Sequence, residues 1–390
     1  MARFLFIDEK IINLMQVNEK PCGGSAVQTY GWILGLIAEG QEVLVMTRTD
    51  DKTVLKEECR NIKIVPMYDF NKGIRWFRWL YYRLPHMYKN IKNSKPDYLY
   101  SGIAGWTTLL LALTCRILHV KYIQRISSDA HLDKRFRDTN STIHHFLLYW
   151  GLKLSHHILC QNNYQLLKIK KKFPNKSAIK ILNPYYLKIQ DLHTNEHTGG
   201  YIAWLGLYRY AKNLKLLYQI AAILKHEQFL IAGKAGSNSD EETTVYLEKL
   251  KQLPNVQFSG YLERTQVSPF LAKAKFLLNT SRFEGFSNTF LEAWAVGTPV
   301  LSTVNVNPDS IISNHNLGIV YNEVFDLCKQ HATLLQQKYQ LMSENARQYV
   351  AHYHGYRIVT QQLLSYLSKT DKPITSSTYL NTPVQIKIVK

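Results

Sequence analysis

Short apolar runs alternate with longer amphipathic ones along the whole chain. ARFLFID near the start reads as a strand. The stretch AVQTYGWILGLIAE reads as a helix capped by Ser25 and ended at Gly40, and EVLVMT follows as the next strand. The same rhythm returns in IKIV, DYLYS, VKYIQRI, HILC and IKIL. A second series begins after residue 200 with YIAWL, QFLI, VQFSG, KFLLNT, TPVLST and GIVY, and residues 339–368 read as helices. Alternating strand and helix predicts an α/β protein with parallel sheets covered on both faces. Between the two series, NPYYLKIQDLHTNEHTGG has no period and reads as a linker. The expected organisation is a Rossmann-like domain over 1–184, a linker over 185–200, a second Rossmann-like domain over 201–368 and a tail over 369–390. Ligands of such sheets bind at the C-terminal strand ends, which places the site in the cleft between the domains.

Length agrees with two cores, since 390 residues exceed what one ordinary domain buries. The longest apolar stretch, Trp106 to Cys115, is too short to span a bilayer. Asp8 and Glu9 interrupt the N-terminus where a signal peptide would be apolar, so the expected location is cytoplasmic. Cysteines 22, 59, 115, 160 and 328 are scattered without a CxxC pair and read as free thiols, with neither a disulfide frame nor a zinc site. The net charge of +19 is uneven. Residues 1–184 hold 28 Lys/Arg against 14 Asp/Glu, and residues 185–390 hold 20 against 15. The first half is therefore expected to meet something anionic, unless the charge serves solubility alone. No helix-turn-helix or aromatic–basic RNA motif appears, which argues against nucleic acid as that partner.

The segment SRFEGFSNTFLEAWAVGTPVLST, residues 281–303, carries Glu284 and Glu292 in an otherwise apolar setting. Its order is strand, turn, helix, strand: Ser287 or Asn288 caps the helix, Gly297 ends it and Pro299 opens the next strand. The N–H groups of residues 286–289 then form an anion site at a helix N-terminus, and Gly285 lets the backbone come close to a ligand. A carboxylate beside such a site repels phosphate, so the expected partner of Glu284 and Glu292 is rich in hydroxyls, a ribose or a sugar. The plainer alternative is a glutamate favouring the helix dipole and a second, solvated one.

Glu284-GFSNTFL-Glu292 followed by AWAVGTPV resembles the EX7E signature of retaining GT-B glycosyltransferases of family 4. The likeness extends to GGSAVQTYGWILGLIAEGQEVLVMT, YIAWLGLYRYAKNLKLL, QFLIAGKAG and NVQFSGYL. It implies the GT-B fold and transfer of a sugar from a UDP- or GDP-linked donor, with retained configuration and no metal or other cofactor. It implies that Glu284 approaches the donor sugar, that Glu292 holds the ribose, and that backbone amides of Phe286, Ser287, Asn288 and Thr289 hold diphosphate or sugar. Lys212 matches the family's diphosphate-neutralising lysine. Its arginine usually follows the glycine directly, where this chain has Leu207, and Arg209 stands two places later. Gly23 and Gly24 match a glycine pair beside the donor, although alone they describe a tight turn equally well.

Arg125, Asp129 and His131, near the end of VKYIQRI, are candidates for sugar or acceptor contact, or else members of a satisfied loop network. Residues 71–95 hold Lys72, Arg75, Arg78, Arg83, Lys89, Lys92 and Lys95 and no acid. Ile74, Phe77, Tyr81, Leu84, Tyr88 and Ile91 fall at helical spacing and are expected to face the core. The basic face with Trp76 and Trp79 then suits an anionic membrane surface, or is a solvated face with both tryptophans inward. The acceptor expected on these grounds is a saccharide, lipid-linked, in cell-surface polysaccharide or lipopolysaccharide assembly. Two alternatives remain: a nucleotide-sugar epimerase of the same shape, and a silent partner subunit of a transferase complex.

Overall fold

The computed structural model describes residues 1–19, 23–48, 54–74, 77–133, 141–187, 200–236 and 240–371. Most of the linker, most of the tail, and Cys22, Arg75 and Trp76 lie outside that set.

The first sheet contains β1 (Arg3–Ile7), β2 (Glu42–Thr47), β3 (Lys63–Pro66), β4 (Tyr98–Ser101), β5 (Lys121–Arg125), β6 (His157–Cys160) and β7 (Ser177–Lys180). Their order is β3-β2-β1-β4-β5-β6-β7. The second contains β8 (Tyr201–Tyr208), β9 (Phe229–Ala235), β10 (Val256–Gly260), β11 (Ala274–Asn279), β12 (Val300–Thr303) and β13 (Gly318–Tyr321), in the order β10-β9-β8-β11-β12-β13. Every pairing in both ladders is parallel, as the near-continuous apolar strands require. In each sheet the order reverses beside the first strand, so β1 meets β4 and β8 meets β11. These are the switch points where loops leave in opposite directions and open a crevice.

Helices cover both faces of each sheet. Phe4, Phe6, Trp32 and Ile33 anchor one core of the first domain, and Leu5, Leu44, Leu99 and Tyr122 the other. Trp294 and Phe290 anchor one side of the second sheet, and Trp204 and Phe276 the other. Cys59, Cys115 and Cys160 are buried free thiols, and Cys328 is half-buried.

The chain passes between the domains twice, and the two passages lie side by side. Tyr185 N donates to His354 O at 2.7 Å, and Tyr356 N donates back to Tyr185 O at 3.2 Å. The helix Tyr356–Thr370, within the span assigned to the second domain by its alternation, returns to the first: Val359, Leu363 and Leu367 join its core. It crosses the helix Gly24–Ala38 so closely that a Cβ at Gly35 would lie 2.0 Å from Thr360 Oγ1 and 2.9 Å from Tyr356 O.

The basic segment departs from expectation. Its apolar stripe does not face the core in the first half: Ile74, Phe77 and Tyr81 are 69%, 66% and 50% exposed, and Leu80 74%. The reason is local winding. Residues Trp79–Arg83 form a π-helical turn and the α-helix starts only at Leu84, with Pro85 in its first turn, so one 3.6-residue register does not run through the segment. Trp79 turns inward against Trp106, centroids 4.6 Å apart, and Arg83 is buried over Tyr68. Among the described residues no helix is long and apolar enough to cross a membrane.

The close crossing at Gly35 is testable. Gly35→Val is expected to cost about 2 kcal/mol by overpacking, seen as a lowered thermal midpoint.

Candidate functional site

Two loops leave neighbouring strands at the β8/β11 switch point. After β8 a 3₁₀ turn, Tyr210–Lys212, leads to Asn213, which adopts a left-handed conformation and caps the helix Leu214–Ile223 by accepting from Leu216 N at 3.3 Å. After β11, Asn279 Oδ1 accepts from Ser281 N at 2.9 Å and starts the turn that carries Glu284. The loops are tied together: Thr280 Oγ1 donates to Lys212 O at 2.7 Å and Arg282 N to Ala211 O at 2.9 Å.

This fastening aims Lys212 at Glu284. Lys212 Nζ lies 2.5 Å from Glu284 Oε1, and Ser281 Oγ donates to the same oxygen at 3.0 Å. Both side chains are largely buried, at 14% and 21% exposure. Burial pushes the Glu284 carboxyl up, but the Lys212 charge and hydrogen bond, the Ser281 hydrogen bond and the Arg209 charge outweigh it and hold the carboxyl below its ordinary value. Arg209 itself is exposed at the mouth of this pair. Lys212 is thus no surface cation on a free loop.

Glu292 is only 4% exposed and pairs with Arg264, the first residue of the helix Arg264–Ala272 beyond β10. It is not a solvated helix residue. Arg264 had no signal of its own in the sequence, because its partner is set by the β10 crossover. Arg282 was missed likewise: it pairs with Glu242 and stacks on Tyr210, 4.2 Å from the ring centre, bracing the Lys212 loop.

The helix over Asn288–Ala295 begins as expected, with Ser287 at the N-cap position, but no side chain caps it. The Ser287 hydroxyl lies between Thr289 Oγ1 at 2.9 Å and Asn279 Nδ2 at 3.3 Å. The Phe286 ring is buried against His354, Phe290 and Trp294. Asn288 reaches across to the first domain: its Nδ2 donates to Gly24 O at 2.7 Å and its Oδ1 accepts from Asn183 Nδ2 at 2.8 Å. The facing helix starts at Gly24 with Gly23 as its N-cap, so Ser25 lies inside it and is not its cap. Two helix N-termini, one from each domain, therefore converge beside the Lys212–Glu284 pair.

Three candidates change character. Arg125 is wholly buried, donates to Ile181 O and Asn183 Oδ1, and lies over Trp32. Burial draws its guanidinium down to about 10, and its hydrogen bond fixes the Asn183 amide. Asp129 accepts from Asn162 Nδ2 at 3.0 Å and Gln165 Nε2 at 2.8 Å, a scaffold network. Burial draws the His131 imidazole down to about 4, so it is neutral near pH 7. Gly285 does not give a ligand room. A Cβ there would lie 2.6 Å from Gln161 Oε1, 2.8 Å from Gln165 Nε2 and 3.1 Å from Ser127 O, so it is the first domain that comes close.

Among the described residues one group has the composition of a metal site, His226, Glu227 and His331, with ligand atoms within 4.8 Å of one another. Lys275 Nζ is already 2.8 Å from Glu227 Oε1. The group flanks the starts of β9 and β11, opposite the strand ends that carry Lys212 and Glu284.

Two sheets of this order facing each other across such a cleft define the GT-B architecture. Solved structures share it: Anabaena HepE in complex with UDP and glucose, at TM-score 0.72 and 14% identity, covers 95% of this chain and 100% of its own. Sucrose-phosphate synthase from Thermosynechococcus elongatus, at TM-score 0.74 and 14% identity, covers 95% and 99%. A family model described as glycosyl transferases group 1 matches residues 199–337, most of the second domain. Alpha-monoglucosyldiacylglycerol synthase of Streptococcus pneumoniae is 25% identical over 179 residues, 42% of this chain and 40% of its own length. The chain spans less than half the length of the curated relatives it matches.

The ion pair has a signature in stability. Lys212→Met should cost about 2 kcal/mol near neutral pH, less than a fully buried pair because Glu284 keeps 21% exposure. A carboxyl held below its ordinary value contributes stability above that value and loses it as pH falls through the folded one. The gap in unfolding free energy between wild type and Lys212→Met is therefore expected to shrink on acidification, measured by denaturant titration across pH.

Proposed function

We propose that this protein is a retaining, metal-independent glycosyltransferase that moves a sugar from a UDP- or GDP-linked donor to a saccharide acceptor. The observation that carries this reading is the Lys212–Glu284 pair, 2.5 Å apart between two converging helix N-termini. When the bond between the anomeric carbon and the diphosphate oxygen breaks, negative charge grows on the leaving group. Lys212, Arg209 and the N–H groups of residues 286–289 neutralise that charge in place of a divalent cation. Glu284 stands on the sugar side, and Glu292, oriented by Arg264, faces the ribose. The acceptor hydroxyl forms the new bond on the face the diphosphate leaves, and its proton passes to the departing phosphate oxygen, so configuration is retained.

The acceptor is lipid-linked, as in cell-surface polysaccharide or lipopolysaccharide assembly, and the enzyme works at the inner membrane face. Supporting this are the name of the S. pneumoniae relative, a diacylglycerol glycoside synthase, and the exposed Ile74, Phe77, Leu80 and Tyr81 beside Lys72 and Arg78. Apolar side chains ringed by cations suit an anionic lipid surface.

Glu284→Gln and Lys212→Ala should each lower turnover by about a hundredfold or more in a folded protein, assayed with a panel of UDP- and GDP-sugars. Unchanged turnover would refute the roles assigned. Absence of any nucleotide-sugar affinity in the wild type would favour a silent partner subunit. For the membrane contact, co-sedimentation with vesicles rich in anionic lipid should fall at high salt and in Phe77→Ser with Leu80→Ser.

A further inference from the structure

Asn162 begins the helix Asn163–Lys172 of the first domain, yet its side chain ends on the Glu284 loop of the second. Its Oδ1 accepts from Gln165 N at 2.8 Å and so caps that helix. The cap leaves the amide one orientation, with Nδ2 pointing away from the helix. Nδ2 donates to Gly285 O at 2.8 Å and to Asp129 Oδ1 at 3.0 Å. Gln165 Nε2 also donates to Asp129 Oδ1, at 2.8 Å, and Gln165 Oε1 accepts from Gln161 N at 2.8 Å. Asn162 as a whole is 2% exposed.

The Gly285 carbonyl and the Phe286 N–H belong to one planar peptide and point in opposite directions. A donor from the first domain that holds the carbonyl therefore also aims the Phe286 N–H. Glu284 is the residue just before this peptide. A free loop rich in glycine and serine would sample many orientations of that unit. We propose that Asn162, braced by Asp129 and Gln165, is a positioning residue that sets the Gly285–Phe286 peptide, so that the anion-binding amide is aimed only when the two domains are closed. The proposal rests on the glycosyltransferase reading for its consequence in turnover, but its geometric content stands apart from it.

Asn162→Ser separates the two roles of the side chain. Serine caps a helix about as well as asparagine, but it carries no amide to hold the Gly285 carbonyl. In the ligand-free protein the NMR order parameters of the 285–289 amides are expected to fall while those of residues 241–260 stay unchanged, and the thermal midpoint to drop slightly because the Gly285 carbonyl loses its donor. With a competent donor, kcat/KM should fall about tenfold, and Asn162→Asp, which turns a carboxylate toward Asp129 and the carbonyl, should fall further. Wild-type order parameters at 285–289 in Asn162→Ser would overturn the proposal. So would loss of order throughout the second domain, which would mark a merely structural role. If the wild type transfers no sugar while Asn162→Ser still frees these amides, the proposed activity falls and the positioning role stands.

Discussion

Opposite charges in a half-dry crevice must meet each other when no ligand is bound, and that constraint organises this molecule. Lys212 and Glu284 lie 72 residues apart in sequence, yet on loops of adjacent strands. Each would be costly to bury alone. Together they hold a cation and an anion at the strand ends, each neutralising the other. The surrounding parts serve that pair: Thr280 and Arg282 fasten the two loops, Ser281 supplies a second donor to Glu284, and Arg209 adds positive potential from the mouth.

The first domain completes the site chiefly by position. Its contacts to the second domain are made by amides and one aspartate: Asn183 and Gly24 to Asn288, Asn162 to Gly285, and Lys180 and the Asn163 N–H to Asp309. Apart from the charged contacts to Asp309 these are neutral hydrogen bonds, each modest individually. Arg125 stiffens it from behind, a buried cation that donates to the Ile181 carbonyl and to Asn183 Oδ1.

Much of this was legible in sequence. The central strands β1, β6 and β12 coincide with apolar runs, because a parallel strand buried on both faces has to be largely apolar, whereas the edge strands β3, β7 and β10 are only partly buried. The Glu284–Glu292 segment was equally readable, since a strand, a polar turn and a helix with buried carboxylates are local facts. Lys212 was found by likeness of its loop. What failed was anything needing a particular neighbour. The stripe from Ile74 to Ile91 has helical spacing, but a π-helical turn breaks its register and leaves Phe77 and Leu80 outside. Ser25 is a fitting cap by type, yet the helix gains two more residues and starts at Gly24. Gly285 has the look of a ligand-facing glycine and is pressed by Gln161 and Gln165 instead.

By itself the sequence determined the class of fold, the two series of strands and the segment that carries the carboxylates, because hydrophobic period and helix-end chemistry are short-range properties. Only the tertiary structure decided the partners: Arg264 for Glu292, Asn162 for Gly285, Asn183 for both Arg125 and Asn288. Those pairs join residues 28 to 123 positions apart, across sheet crossovers and across the cleft. No local pattern encodes such a meeting, since it depends on how two separately built domains come to rest against each other.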